Sequence, residues 1–103
     1  VKRELKETDG DPQIKGRRRQ QREARARRRM LKAVKSASVL IMNPTHYAVA
    51  LKYESGKTPA PLCVAKGLDD IALRLRTAAE EARVPVVENP PLARALYAAV
   101  EID

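Results

Sequence analysis

Residues 38–53, SVLIMNPTHYAVALKY, constrain the fold more than any other part of the chain. Val39 to Met42 form an unbroken apolar run, and Tyr47, Val49, Leu51 and Tyr53 then alternate with Ala48, Ala50 and Lys52. The run predicts a buried strand and the alternation a half-buried one. Asn43-Pro44-Thr45-His46 must be the corner between them, because Asn-Pro initiates turns and the residue before proline prefers extended geometry.

At 103 residues the chain is one domain with a small core. It has no Trp or Phe, so Val, Leu, Ile, Ala and three tyrosines must fill the interior, which suits a compact α/β unit. The single cysteine, Cys63, excludes an internal disulfide and falls in a candidate strand as a small core residue. No signal peptide is visible, and no apolar run approaches the length of a membrane span. One His and one Cys far apart make a metal site improbable, and no cofactor is expected.

Beyond the corner, residues 54–61 (ESGKTPAP) read as an exposed loop. Leu62 to Ala65 is a short strand ended by Lys66-Gly67. Leu68, Ile71, Ala72, Leu75, Ala78, Ala79 and Ala82 follow helical spacing through Arg83, with Asp69 and Asp70 in the first turn where the helix dipole favours negative charge. Val84 to Glu88 reads as a further strand, and Pro85 places it near an edge or at its start. Asn89 can cap a last helix that has Pro90 and Pro91 in its first turn and Leu92, Leu96, Ala99 and Val100 on its inner face. This order predicts an α/β fold: a small mixed sheet with helices packed on it.

Charge divides the chain. Residues 1–35 hold fourteen Lys/Arg against five Asp/Glu, whereas residues 36–103 hold seven against eight. The expected division is thus a basic linker or helix over 1–35 and a globular domain over 36–103. Asp11 is a candidate N-cap before Pro12, and good helix formers dominate from Gln13 to Lys35, predicting a long basic helix or arm. Its apolar stripe is thin and confined to the end, so Arg17 to Arg29 should face solvent. Such an arm could lie on an anionic membrane surface, pack against acidic parts of a larger machine, or bind nucleic acid. Nucleic acid is disfavoured, because no aromatic residues interleave the charges.

The corner has chemistry of its own. Asparagine usually ages by attack of the next backbone nitrogen on its side chain, and proline has no N–H to lose. The reverse route remains: the Asn43 amide nitrogen adds to its own main-chain carbonyl, forms a succinimide and expels Pro44 as a new N-terminus. A thousandfold acceleration requires about 4 kcal/mol off the barrier, which a turn holding amide and carbonyl together can supply. His46 carries an imidazole, the one side chain nearby that could exchange protons here. The Thr45 hydroxyl or backbone could position the carbonyl. On local grounds a plain Asn-Pro turn accounts for the same four residues.

The run NPTHYAVALKY, then Ala65-Lys66-Gly67, then VPVVENPPLARALY from Val84 to Tyr97, resembles the cytoplasmic domain of the FlhB/YscU family of type III secretion export-gate proteins. The stretch GDPQIKGR from Gly10 to Arg17 resembles the segment that follows that family's membrane region. The resemblance covers nearly the whole chain. It implies a four-stranded sheet flanked by helices and self-cleavage between Asn43 and Pro44, with Thr45 and His46 completing the motif. It also implies that the fragments 1–43 and 44–103 stay folded together and that the protein switches export from early to later substrates, in a flagellar or injectisome system. The implied reaction is a single intramolecular event rather than enzymatic turnover. Implied partners are other export-apparatus proteins, secretion substrates or chaperones. The implied location is the cytoplasmic face of a bacterial inner membrane, with a membrane domain upstream of Val1. The alternative is a non-processing basic adaptor that binds membrane surface or nucleic acid through its arm. Pro59-Ala60-Pro61 is a further candidate, a stiff apolar patch that could dock export substrates or be a plain loop.

Overall fold

The computed structural model describes residues 11–44, 46–54, 56 and 60–102. The first helix, α1 (Pro12–Ala33), starts as its sequence predicts: Asp11 Oδ1 accepts the Gln13 N–H at 2.9 Å, and Pro12 sits where no helical N–H is needed. No α1 side chain is fully buried, and the arginines over 17–25 are all exposed. The helix reaches the core only at its end, through Met30 and Leu31, and passes into a 3-10 turn, Val34–Ser36, whose Val34 is completely buried.

Four strands follow: β1 (Val39–Asn43), β2 (Tyr47–Lys52), β3 (Leu62–Leu68) and, after helix α2 (Asp69–Glu81), β4 (Val86–Glu88). Helix α3 (Pro90–Ala99) comes last. The sheet order is β3-β2-β1-β4, with β1 and β4 parallel and the other pairs antiparallel. This is the mixed four-stranded α/β architecture expected.

Register explains how the layers form. Leu40 pairs with Ala50 and Met42 with Ala48, while Ala48 pairs with Gly67 and Ala50 with Ala65. These side chains share one face and pack with Ala72, Leu75, Ala78 and Ala79 of α2, so alanine on the strand meets alanine on the helix and the two approach closely. Helix α3 covers β1 and β2 from the other side. Strand β2 was expected to be half-buried, yet Ala48, Val49 and Ala50 are all fully buried. It is an interior strand with helices on both faces, and alternation in its sequence reflects side-chain size rather than solvent.

Other expectations differ too: β4 starts at Val86 rather than Val84, because the Val84 N–H donates to the Ala79 carbonyl at the end of α2 at 2.8 Å. Strand β3 does not end at Lys66-Gly67 but continues to Leu68, and Gly67 serves a packing purpose. A Cβ there would lie 2.8 Å from the Ile71 Cβ, so only glycine lets the first turn of α2 sit against the strand. On α3, Leu92 is 40% exposed and Ala99 is exposed, while Ala93 is buried and Leu96, Tyr97 and Val100 are half-buried. Asn89 Oδ1 accepts the Leu92 N–H at 3.2 Å, and this cap phases the helix so that its inner stripe begins at Ala93. Among the described residues no helix is long and apolar enough to cross a membrane.

Candidate functional site

The corner is the hairpin turn between the two inner strands. Asn43 and Tyr47 are the last pair of the β1–β2 ladder, and Pro44 and His46 lie between them. Thr45 lies outside the described residues. Asn43 and Pro44 are half-buried, whereas the His46 side chain is 63% exposed. The His46 backbone N–H donates to the Asn43 carbonyl at 3.1 Å. The carbonyl of the Asn43–Pro44 bond is therefore already polarised by a backbone donor three residues on.

Strand β3 brings a residue to this turn that sequence reading assigned only to a helix start. Tyr47 pairs with Leu68, which places Asp69 beside His46: the Asp69 N–H donates to the His46 carbonyl at 3.0 Å, and His46 Nδ1 lies 3.7 Å from Asp69 Oδ1. Asp69 holds a left-handed backbone with φ of 46°, tolerated by Asp better than by most residues. A separation of 23 positions hides this neighbour from any local motif.

Helix α3 supports the corner from beneath. The Tyr47 and Tyr97 rings pack with centroids 5.3 Å apart, tilted by 53°. Lys66 Nζ donates to the carbonyls of Tyr97 at 3.1 Å and Val100 at 2.7 Å, and lies 4.8 Å from the Tyr97 ring centroid. Lys66 is thus committed to neutralising the carboxyl end of α3. The Asn89 N–H donates to the Met42 carbonyl at 2.9 Å, tying the start of α3 to the residue before Asn43.

Ala60 and Pro61 are exposed and precede β3, and Pro59 lies outside the described residues. Ala60 and Pro61 are not brought to the corner. The far end of β3 is the one that meets Tyr47, about 20 Å away along an extended strand. Among the described residues no group of three or more His, Cys, Asp or Glu is placed to hold a metal.

The whole chain, residues 1–103, matches the model of the "FlhB HrpN YscU SpaS Family". It is 53% identical over 102 residues to the flagellar biosynthetic protein FlhB of Salmonella typhimurium, covering 99% of this chain and 27% of that protein. It is 47% identical over 98 residues to the hypersensitivity response secretion protein HrcU of Ralstonia nicotianae, covering 94% and 28%. The chain thus spans little more than a quarter of these relatives. Among solved structures, the cytoplasmic domain of FlhB from Shewanella putrefaciens superposes with a TM-score of 0.70 at 44% identity, covering 75% of this chain and 59% of that one. The EscU C-terminal domain with an asparagine-to-alanine mutation gives 0.68 at 38% identity, covering 71% and 73%. Other EscU structures carry an alanine at the proline after that asparagine and at the histidine two positions further. Sequence and fold agree, and the chain belongs to the FlhB/YscU family of type III secretion export-apparatus proteins, with the fold of the family's cytoplasmic domain.

Proposed function

We propose that this chain is a self-cleaving switch domain of a type III export apparatus, cut once between Asn43 and Pro44. The observation that carries the reading is the turn itself: Asn43 ends a strand, Pro44 blocks the ordinary side reaction, and the His46 N–H already bonds the Asn43 carbonyl. The spacing of asparagine, proline and histidine mutated in EscU is also that of Asn43, Pro44 and His46.

In the reaction, Asn43 Nδ2 forms a bond to the Asn43 carbonyl carbon while the bond from that carbon to Pro44 N breaks. A proton leaves Nδ2 and one arrives at Pro44 N, with His46 as the exchanging group. The carbonyl oxygen gains negative charge during attack, and the His46 N–H is placed to follow it. Single donors to such oxygens contribute about 10²- to 10³-fold in buried sites, and less in a turn open to water. Water then opens the succinimide, leaving residues 1–43 and a chain that starts at Pro44.

The sheet supplies a reason for the pieces to stay together. Strand β1 of the first piece lies between β2 and β4, both in the second. Withdrawing it would expose Leu40, Ile41 and Met42, worth roughly 5–9 kcal/mol at about 1.5–3 kcal/mol per buried side chain. Cleavage frees Pro44 to His46 and spares the core, so the signal to export partners and substrates is a change of surface at the corner. Intact-mass measurement and denaturing electrophoresis test the proposal. Two fragments meeting at Asn43/Pro44 and absent from Asn43→Ala are expected; a permanently whole wild-type chain would favour a non-processing basic adaptor.

A further inference from the structure

Helix α1 with its terminal 3-10 turn and helix α2 border a trough of about 570 Å³ that no strand residue lines. Leu31, Leu73 and Ala78 make its apolar floor and wall, and Leu73 is 51% exposed, an unusual position for a leucine on a helix whose other face already packs the core. Arg28, Lys32, Lys35 and Arg74 stand around it, with Glu81 as the one carboxylate. Among the described residues none of these four cations makes an ion pair, whereas Arg76, on the same helix as Arg74, bridges both Glu80 and Glu88. On α1 the basic rim continues through Arg22, Arg25 and Arg29, which fall on one helical face and extend the strip by about 9 Å beyond Arg28.

We infer that this trough docks an acidic amphipathic helix from a protein partner, with two or three aliphatic side chains against Leu31 and Leu73 and carboxylates facing the rim. The charge pattern selects the chemistry: four cations with no ion-pair partner among the described residues flank an apolar strip of Leu31, Leu73 and Ala78. A nucleic acid would satisfy the rim and leave Leu31 and Leu73 wet, and the trough holds no aromatic ring for a base to stack on. A bilayer surface would meet the arginines of α1 but cannot enter a recess between two helices. A helix laid in the trough satisfies both parts at once and completes a three-helix layer. The inference concerns a surface remote from the Asn43–Pro44 turn and stands whether or not that bond breaks.

The test uses fluorescent peptides of about 20 residues titrated by anisotropy into the intact chain at about 0.15 M salt. One peptide carries leucines at helical i, i+3, i+4, i+7 spacing with glutamates elsewhere; the other has the same composition with leucines spread around the helix. The first should bind about tenfold more tightly, and Leu73→Ser should remove most of that difference while leaving the second peptide unaffected. Arg74→Glu should weaken both. Backbone amide shifts should centre on residues 28–35 and 73–78, a readout that requires no variant to fold. Equal binding of the two peptides, indifference to Leu73→Ser, or shifts confined to 17–25 would overturn the inference. Competition by phosphatidylglycerol vesicles or a single-stranded oligonucleotide that Leu73→Ser leaves unchanged would also overturn it, and would assign the strip to lipid or nucleic acid.

Discussion

The backbone N–H of Asn89 donates to the carbonyl of Met42 at 2.9 Å, so the chain's two Asn-Pro bonds lie side by side, one register step beyond the Met42–Glu88 pair of two parallel strands. Asn43–Pro44 and Asn89–Pro90 share a sequence and differ in what the asparagine side chain does. Asn89 caps α3 through Oδ1, whereas Asn43 closes a hairpin whose carbonyl accepts the His46 N–H.

The second bond is therefore an internal control. Mass spectrometry after days at neutral pH should find cleavage at 43/44 and none at 89/90. Asn89→Ala should lower the folding free energy by about 0.5–2 kcal/mol by removing the cap, with no new fragment. A fragment beginning at Pro90 would show that an Asn-Pro sequence suffices and that the turn contributes nothing.

His46 and Asp69 should separate by magnitude. Loss of a positioned proton-transfer group costs on the order of 10²-fold or more, so His46→Ala should slow fragment formation to that extent while keeping the backbone N–H. The carboxylate is 75% exposed and 3.7 Å from the ring, and exposed pairs contribute about 1 kcal/mol at most. Asp69→Asn should then slow cleavage by less than about fivefold. A gel time course measures both, and an Asp69→Asn chain as slow as His46→Ala would mean that the pair acts as one unit.

Lys66 ties the end of α3 to β3 and lies against Tyr97, which packs on Tyr47. Charged hydrogen bonds of this kind contribute about 1.5–3 kcal/mol when buried, and less at this half-buried site. Lys66→Met should destabilise by about 1–2 kcal/mol, lowering the Tm by roughly 5–15 °C. Lys66→Arg should not restore it, since a planar fork cannot place one nitrogen between two carbonyls in the same way. Thermal denaturation followed by circular dichroism reads the effect.

Cys63 sets an alkaline limit. Burial pushes its thiol above the usual value, opposed by backbone hydrogen bonding at Ala65 and by the nearby Lys66 charge. Because the folded thiol holds its proton more tightly than the unfolded one, the associated stability is fully present below the ordinary thiol pKa. It is lost as pH rises from there through the raised value. The Tm of the wild type should therefore fall more steeply above about pH 8.5 than that of Cys63→Ala. Thiol reagents should label Cys63 only on unfolding, and rapid labelling of the native chain would contradict its burial.

Much of the architecture was legible in one dimension. Asp11-Pro12 and Asn89-Pro90 announced their helices because caps act within three residues, and the apolar run at Val39 announced a strand because burial on two faces leaves no polar positions. The corner could be named for the same reason: the chemistry of an asparagine before a proline is a property of two adjacent residues. Where reading fell short, distance was the cause. Gly67 looked like a strand end until Ile71 packed over it, and the inner face of α3 was misphased at Leu92 and Ala99 because the cap, not hydropathy, sets its rotation.

The amino-acid order by itself determined the Asn-Pro dipeptide of the corner, the element types and the concentration of positive charge in the first third, all of which depend on neighbours in sequence. Only the tertiary structure decided that Asp69 stands beside His46, that Asn89 braces Met42, and that β1 lies between two strands from beyond the corner. Those relationships rest on the β2–β3 and β1–β4 pairings, which join residues far apart in the chain, and pairing is settled by which whole set of faces can be buried together.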